Sequence, residues 1–474
     1  MSVLRRDGRR LWRFYWMAIS SMPAEREAID ELSAVQVAQQ RLDSLFLIAR
    51  RMLPPAPAGR VLRVIGTALE ASGISAMVGQ YARVETPEGW RLGEVIGFQG
   101  DRATIMPFGG LRGVFAGASV ILMEQDSTVP VGTELLGRVV DAMGHPLDGR
   151  ALLTSQRRSL KSSAPNPLTR MRIKQPLDVG VRAINALLTV GEGQRVGLFA
   201  GSGVGKSVLL GMMARHTASE IVVIALIGER GREVREFIED ILGDDGLSHT
   251  VLVVATADAP PVLRMRGAEY ATAIAEHFRD QGRKVLLIMD SLTRYAMAAR
   301  EVGLTAGELP ATKGYPPSVF SALSILTERA GTAERGAITA FYSVLVEGDD
   351  LQDPIADAAR AILDGHIVLS RDLAAKGVYP AIDPAISASR VMRSIVGTEQ
   401  FAWAREVLSW WGRYRERADL IAIGAYVQGT DPLLDKAIIK YPEILKFITQ
   451  SPEASCNFQC SQEALRDIIG KESL

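Results

Sequence analysis

The eight residues AGSGVGKS at 200–207 follow the apolar run VGLF at 196–199, and no other stretch constrains this chain as strongly. A strand that runs into a glycine-rich turn and then into a helix wraps backbone N–H groups around an anion. The ligand class that suits this geometry is a nucleoside triphosphate. Gly201, Gly203 and Gly205 let the backbone turn inward, and the helix that continues through VLLGMM at 208–213 presents its positive end to the same phosphates. The expected nucleotide-binding residues are Ala200, Gly201, Ser202, Gly203, Val204, Gly205, Lys206, Ser207 and Val208. Lys206 would neutralise the outer phosphates, and Ser207 would ligate magnesium. Ala200 stands where the usual pattern opens with glycine, a departure of one methyl group.

At 474 residues the chain is too long for one ordinary core, and at about 150 residues per domain it suggests two to four units. Lys plus Arg and Asp plus Glu both number 54, so no global charge favours nucleic acid or an acidic membrane face. Two cysteines, Cys456 and Cys460, are too few for a disulfide framework or a zinc site, and read as free thiols in a reducing cytosol. No apolar run reaches the ~18 residues of a membrane span, so a soluble, cytoplasmic protein is expected. The opening segment interleaves Arg5, Arg6, Arg9, Arg10 and Arg13 with Trp12, Phe14, Tyr15 and Trp16. It reads either as a docking arm for an acidic membrane surface or a partner, or as a start placed upstream of Met17 or Met22.

Five segments follow from the patterning. Residues 1–58 give an N-terminal arm and a charged, Ala/Leu-rich helix ending at the proline-rich linker PPAPAG. Residues 59–130 carry short β-branched runs punctuated by glycine, which predicts a small antiparallel barrel. A turn-rich connector spans 131–172 and closes the barrel. From 173 to 398, apolar strands alternate with amphipathic helices, the pattern of a mostly parallel α/β sheet. Within it, Val234, Phe237, Ile238 and Ile241 fall on one helical face. Residues 399–474 read as all-helical.

Three candidates for chemistry follow the phosphate loop, Glu229, Asp290 and Arg390. IGER at 227–230 ends the strand after the loop's helix, which puts Glu229 at the carboxyl edge of the sheet, where a carboxylate can orient an attacking water. LLIMD at 286–290 ends a buried strand in one carboxylate. Magnesium with its water shell is a natural partner, so Asp290 is expected to hold the ion with Ser207. Arg230 and Arg294 follow these acids and read equally as phosphate contacts or as salt-bridge partners. Arg390 ends the proline-broken segment YPAIDPAISASR at 379–390, either as a structural arginine or as one offered across a subunit interface to a developing phosphoryl charge.

Across about 59–439 the chain resembles the catalytic subunits of the rotary ATP synthase head and, more narrowly, the ATPases of bacterial type III export. The resemblance is carried by LGRVVDAMGHPLDG, DVGVRAINALLTVGEGQRVGLFAGSGVGKSVLLGMMAR, IGERGREVREF, MDSLTRYAMAAREVGLTAGELPATKGYPPSVF, EGDDLQDPIADAARAILDGHIVLSR and YPAIDPAISASR. It implies a homohexameric ring with each ATP site between subunits, one supplying Lys206, Ser207, Glu229, Arg230 and Asp290 and its neighbour supplying Arg390. Tyr379 matches the family's adenine-stacking aromatic. Non-catalytic ring subunits carry an amide where Glu229 stands, so the glutamate implies a working site. RAINALLTVGEGQRVGLFAGSGVGKSVLLGMMARHT looks most like the flagellar branch.

The resemblance implies ATP hydrolysis that docks and releases chaperone–substrate complexes at a membrane export gate. The implied partners are a stator-like inhibitory regulator, a central-stalk protein, the export gate and export chaperones, with peripheral contact at the inner membrane. A virulence secretion ATPase is the nearest alternative. An RNA-translocating ring and a nucleotide-binding, non-catalytic ring subunit are rivals of other classes; the neutral charge balance and the lack of a basic, aromatic-interleaved barrel stretch argue against nucleic acid. Two features depart from the family, the opening residues and the C-terminal Trp410, Trp411, Cys456 and Cys460.

Overall fold

The computed structural model describes residues 58–123, 128–346 and 353–470. The expected N-terminal arm and helix, the alternative starts at Met17 and Met22, and part of EGDDLQDP lie outside the described residues.

Six strands, β1 (Gly59–Ile65), β2 (Ala68–Ser72), β3 (Tyr81–Thr86), β4 (Gly89–Gln99), β5 (Arg102–Pro107) and β6 (Ser119–Leu122), close an antiparallel barrel in the order β1-β2-β5-β4-β3-β6. Val61, Leu69, Val84, Val95, Ile105 and Val120 fill it. Closure leaves no open edge, which lets so small a sheet stand without a helix over every strand. A short pair, β7 (Thr128–Pro130) with β9 (Arg157–Ser159), follows. Between them β8 (Arg138–Asp141) runs parallel to a strand of the main sheet. The connector, expected as turns that close the barrel, thus contributes an edge strand to the next domain; its valines pair there instead.

The second sheet comprises β8, β10 (Arg195–Ala200), β11 (Ile221–Ile227), β12 (Thr250–Ala255), β13 (Lys284–Asp290), β14 (Gly331–Thr332), β15 (Ala337–Leu345), β16 (Gly365–Val368) and β17 (Ala388–Ser389). Among the described residues its order is β17-β16-β10-β15-β13-β11-β12-β8, with β14 beside β15. All neighbours are parallel except β14 and β17. Every residue of β11 and β12 is buried, as a sheet covered on both faces requires. On the expected helical face Val234, Ile238 and Ile241 pack against one of the two main cores. There the helix widens into a π turn over Phe237–Leu242, which carries Phe237 and Leu242 inside.

Helices Thr398–Ala422, Pro432–Ile448 and Phe458–Ile469 form the C-terminal region. Asp431 and Asn457 cap the second and third by accepting from backbone N–H groups of the first turn. Trp410 and Trp411 are buried in the same apolar cluster as β10, so the helices and the central domain share one core. No helix of the described residues is long and apolar enough to cross a membrane.

Candidate active site

Parallel strands aim their carboxyl ends at one edge, and loops leaving that edge at a change of strand order leave a crevice. Here β11 ends at Ile227, two residues before Glu229, and β13 at Asp290, which pairs with Leu226; Met289 and Gly197 both pair with Tyr342, so β10 runs about two residues further along the same edge to Ala200. The chain then turns through Gly203 (φ 79°) and Gly205 (φ 87°), left-handed positions that a Cβ disfavours, into the helix Lys206–His216. The first residues of that helix, Lys206, Ser207 and Val208, line a cavity of about 650 Å³. Gly201, Lys206, Ser207, Glu229, Arg230, Glu233, Arg294 and Arg371 are among its walls. A larger cavity of about 800 Å³ opens beside the barrel, lined by Tyr81, His145, Arg157 and Arg266, with no phosphate loop.

Lys206 is the electrostatic centre. Its ammonium pairs with the Asp290 carboxylate and lies 3.8 Å from Glu229 Oε1. Asp290 is 2% exposed, a position where a carboxylate needs partners, and Ser343 Oγ donates a second hydrogen bond to its Oδ1 at 2.5 Å. Glu229 is pushed up to about 7, chiefly because burial disfavours its anion and then because Asp290 is nearby, with Lys206 opposing both. A carboxyl group so placed can exchange a proton near neutrality.

Ser207 on the cavity wall and Asp290, paired with Lys206, are hard oxygen donors, the ligand chemistry magnesium selects when most of its shell is water and phosphate. Among the described residues no cluster of three or more His, Cys, Asp or Glu side chains offers a self-sufficient metal cage. The donor set therefore fits an ion that arrives with its nucleotide.

Tyr379, 41% exposed, lies over the phosphate loop: a Cβ built on Gly205 would stand 3.3 Å from its Cδ1. Its carbonyl accepts from Gln450 N at 2.8 Å. Arg230 sits at the rim with a mostly exposed side chain 3.4 Å from Glu233. Ser291 caps the helix Leu292–Thr305 by accepting from Arg294 N, and the buried Nε of Arg294 has no hydrogen-bond partner among the described residues.

Arg390 is elsewhere. It follows β17, which pairs with the first residues of β16, and its guanidinium donates to Arg360 O at 2.9 Å while its N–H donates to Asp364 O. Phe199, one residue before the loop, is level with Val368 at the other end of β16. Four residues of strand, roughly 13 Å, separate the two levels. The fold thus gathers Lys206, Ser207, Glu229 and Arg230 around one cavity, with Asp290 paired to Lys206 and Tyr379 beside Gly205 of the loop, and leaves Arg390 outside it.

Ser343, Glu233 and Arg371 complete the site without having been read from sequence. Ser343 had a signal, the one small polar side chain in the otherwise aliphatic and aromatic run AFYSVL. Glu233 and Arg371 look like ordinary helix-surface charges.

The sequence matches three family descriptions: "ATP synthase alpha/beta family, beta-barrel domain" over 61–124, "ATP synthase alpha/beta family, nucleotide-binding domain" over 180–389, and "T3SS EscN ATPase C-terminal domain" over 396–467. Among curated relatives, the flagellum-specific ATP synthase of Pseudomonas aeruginosa is 51% identical over 422 residues, 88% of this chain and 94% of that one. The type 3 secretion system ATPase of Xanthomonas euvesicatoria is 47% identical over 413 residues, 86% and 93% of the two chains. Among solved structures, the assembled ATPase EscN of the enteropathogenic E. coli type III secretion system superposes with a TM-score of 0.83 at 46% identity, covering 87% of this chain and all of that one. EscN in complex with its central stalk EscO superposes with a TM-score of 0.80.

Proposed function

The chain belongs to the ATP synthase alpha/beta family, in its flagellar and type III secretion branch, and from that premise we propose that it is the ATP-hydrolysing motor of a flagellar protein export apparatus. The carrying observation is the convergence of Lys206, on the helix that follows the phosphate loop, with Glu229 and Asp290 at the carboxyl edge of the parallel sheet. The backbone of 201–207 and Lys206 hold the β- and γ-phosphates, and Tyr379 stacks on the base. Ser207 and Asp290 would hold magnesium, which when bound neutralises phosphate charge. Glu229 orients the water that attacks the γ-phosphate in line and accepts its proton. Arg230 holds the outer phosphates from the rim.

Six copies form a ring whose head-to-tail interface closes each site. The position of Arg390, far from its own phosphate loop, supports its delivery to the neighbour's γ-phosphate, where such an arginine is worth roughly 10³ to 10⁵ in turnover. The working place is the cytoplasmic face of the inner membrane. There the ring, on a central stalk and under a stator-like inhibitor, receives chaperone–cargo complexes for the export gate.

The test is Mg·ATP hydrolysis by the purified chain across protein concentrations, with and without RNA. Turnover that rises cooperatively with concentration and ignores RNA is the expected result. RNA-dependent turnover would move the chain to the translocase class, and no turnover would make it a structural subunit. A virulence system is the second reading, favoured by the close match to EscN. Neighbouring genes for hook, rod and filament support the flagellar role, and needle and effector genes would replace it.

A further inference from the structure

Away from the nucleotide cavity, the fold brings together the only two cysteines of the chain. Cys456 ends the loop before the helix Phe458–Ile469, and Asn457, the cap, accepts from Cys460 N at 2.8 Å. That turn folds Cys460 back until the two sulfurs are 3.0 Å apart, about 1 Å longer than a disulfide bond. Neither residue is bonded to another cysteine.

The two thiols differ in their surroundings. Cys456 is 5% exposed and fixed at both ends of its backbone, its N–H donating to Gly180 O at 3.1 Å and its carbonyl accepting from Asn185 Nδ2 at 3.0 Å. Its thiol donates to the Cys460 sulfur and accepts from Ser461 Oγ at 3.4 Å, and burial pushes it up. Cys460 is exposed on the first turn of its helix. An accessible sulfur beside an immobile, shielded one is the arrangement of an attacking and a resolving thiol.

We propose that Cys456 and Cys460 are a reversible intrachain disulfide site whose co-reactant is a low-molecular-weight disulfide. The Cys460 thiolate attacks one sulfur of the small disulfide, breaking its S–S bond and releasing one small thiolate. Cys456 loses its proton to water and attacks the Cys460 sulfur, forming the Cys456–Cys460 bond and expelling the second small thiolate. Two protein thiols are oxidised, one small disulfide is reduced to two thiols, and both protons end on those products. The closed bond staples the start of the last helix to the loop held on Gly180 and Asn185.

Glutathione disulfide is the probe, applied to the full chain, with free thiols counted colorimetrically and intact mass measured. The expected product has lost both thiols and the mass of two hydrogens, migrates as a single chain without reductant, and is restored by dithiothreitol. Cys456→Ser should stop at one retained glutathione, and Cys460→Ser should keep its remaining thiol free under the same exposure. Both are near-isosteric changes, and circular dichroism verifies that they fold. Persistent thiols, glutathione retained on the unaltered chain, disulfide-linked dimers, or equal reactivity of the two single variants would each overturn the proposal.

Discussion

Two glycines of the phosphate loop make a matched pair for testing how the loop and Tyr379 share the nucleotide. Gly203 and Gly205 have nearly equal left-handed φ, 79° and 87°. Among the described residues a Cβ at 203 meets nothing within 4 Å, whereas one at 205 stands 3.3 and 3.4 Å from Tyr379 Cδ1 and Cε1. Left-handed strain costs an L-residue roughly 1–2 kcal/mol, so each alanine variant should lose about 5- to 30-fold in affinity if the loop must keep this shape to bind. Gly205→Ala carries a further loss, because the ring has to move by a few tenths of an ångström from over the loop. That further loss concerns the base and not the phosphates. Equilibrium competition against a fluorescent ATP analogue, run with Mg·ATP and with inorganic tripolyphosphate, separates the two parts. Both variants should weaken tripolyphosphate alike, and Gly205→Ala should weaken ATP more than Gly203→Ala does. Equal ATP affinities for the two variants would refute the stacking role of Tyr379, and unchanged affinities for both would refute the loop geometry.

Three other predictions concern charge. Glu229 is raised from 4.5 to about 7, so kcat/KM, which reports ionisations of the free enzyme, should rise with pH through that value as the carboxylate forms; Glu229→Gln should remove the inflection and nearly all turnover while still binding ATP. The same shift makes the folded protein bind more protons than the unfolded chain between 4.5 and about 7, so the group's contribution to stability falls as pH rises through that window and is level above it. Brisk turnover in Glu229→Gln would assign the water-activating role to another group. Asp383, 4% exposed, accepts from Trp411 Nε1 at 3.1 Å and pairs with Arg415, tying the 379–390 segment to the first C-terminal helix. Arg415 is about one-third exposed, so Arg415→Met should cost a discounted 1–3 kcal/mol, about the worth of one hydrogen bond to a charged group, read as a lower urea midpoint. An unchanged midpoint would show that Asp383 is satisfied without it.

Much of this site was legible in the sequence because its chemistry is local. The loop, Glu229 and Asp290 each sit at the end of an apolar run, and a strand end at a parallel sheet's carboxyl edge is a place in space as well as in sequence. The closed barrel followed from glycine spacing and β-branched runs. What pairing decides was less legible. Residues 138–141 read as part of a turn-rich connector, but Val139 and Val140 pair with Leu252 and Val253 and extend the main sheet. Ser343 meets Asp290 only because β13 and β15 are neighbours, a sheet order that strand periodicity does not encode. Arg371 reaches the cavity by folding back from β16, and its sequence context is that of any helix start.

The composite site is tested most directly by subunit complementation. Lys206→Ala and Arg390→Ala should each abolish nearly all hydrolysis when assembled alone, the first by losing the nucleotide and the second by losing the neighbour's contact. Mixed before assembly, the two inactive chains should regain a measurable fraction of ATPase activity, because some seams then join an intact loop to an intact arginine. No recovery on mixing, with assembly confirmed, or full activity of Arg390→Ala by itself would contradict a site shared between subunits.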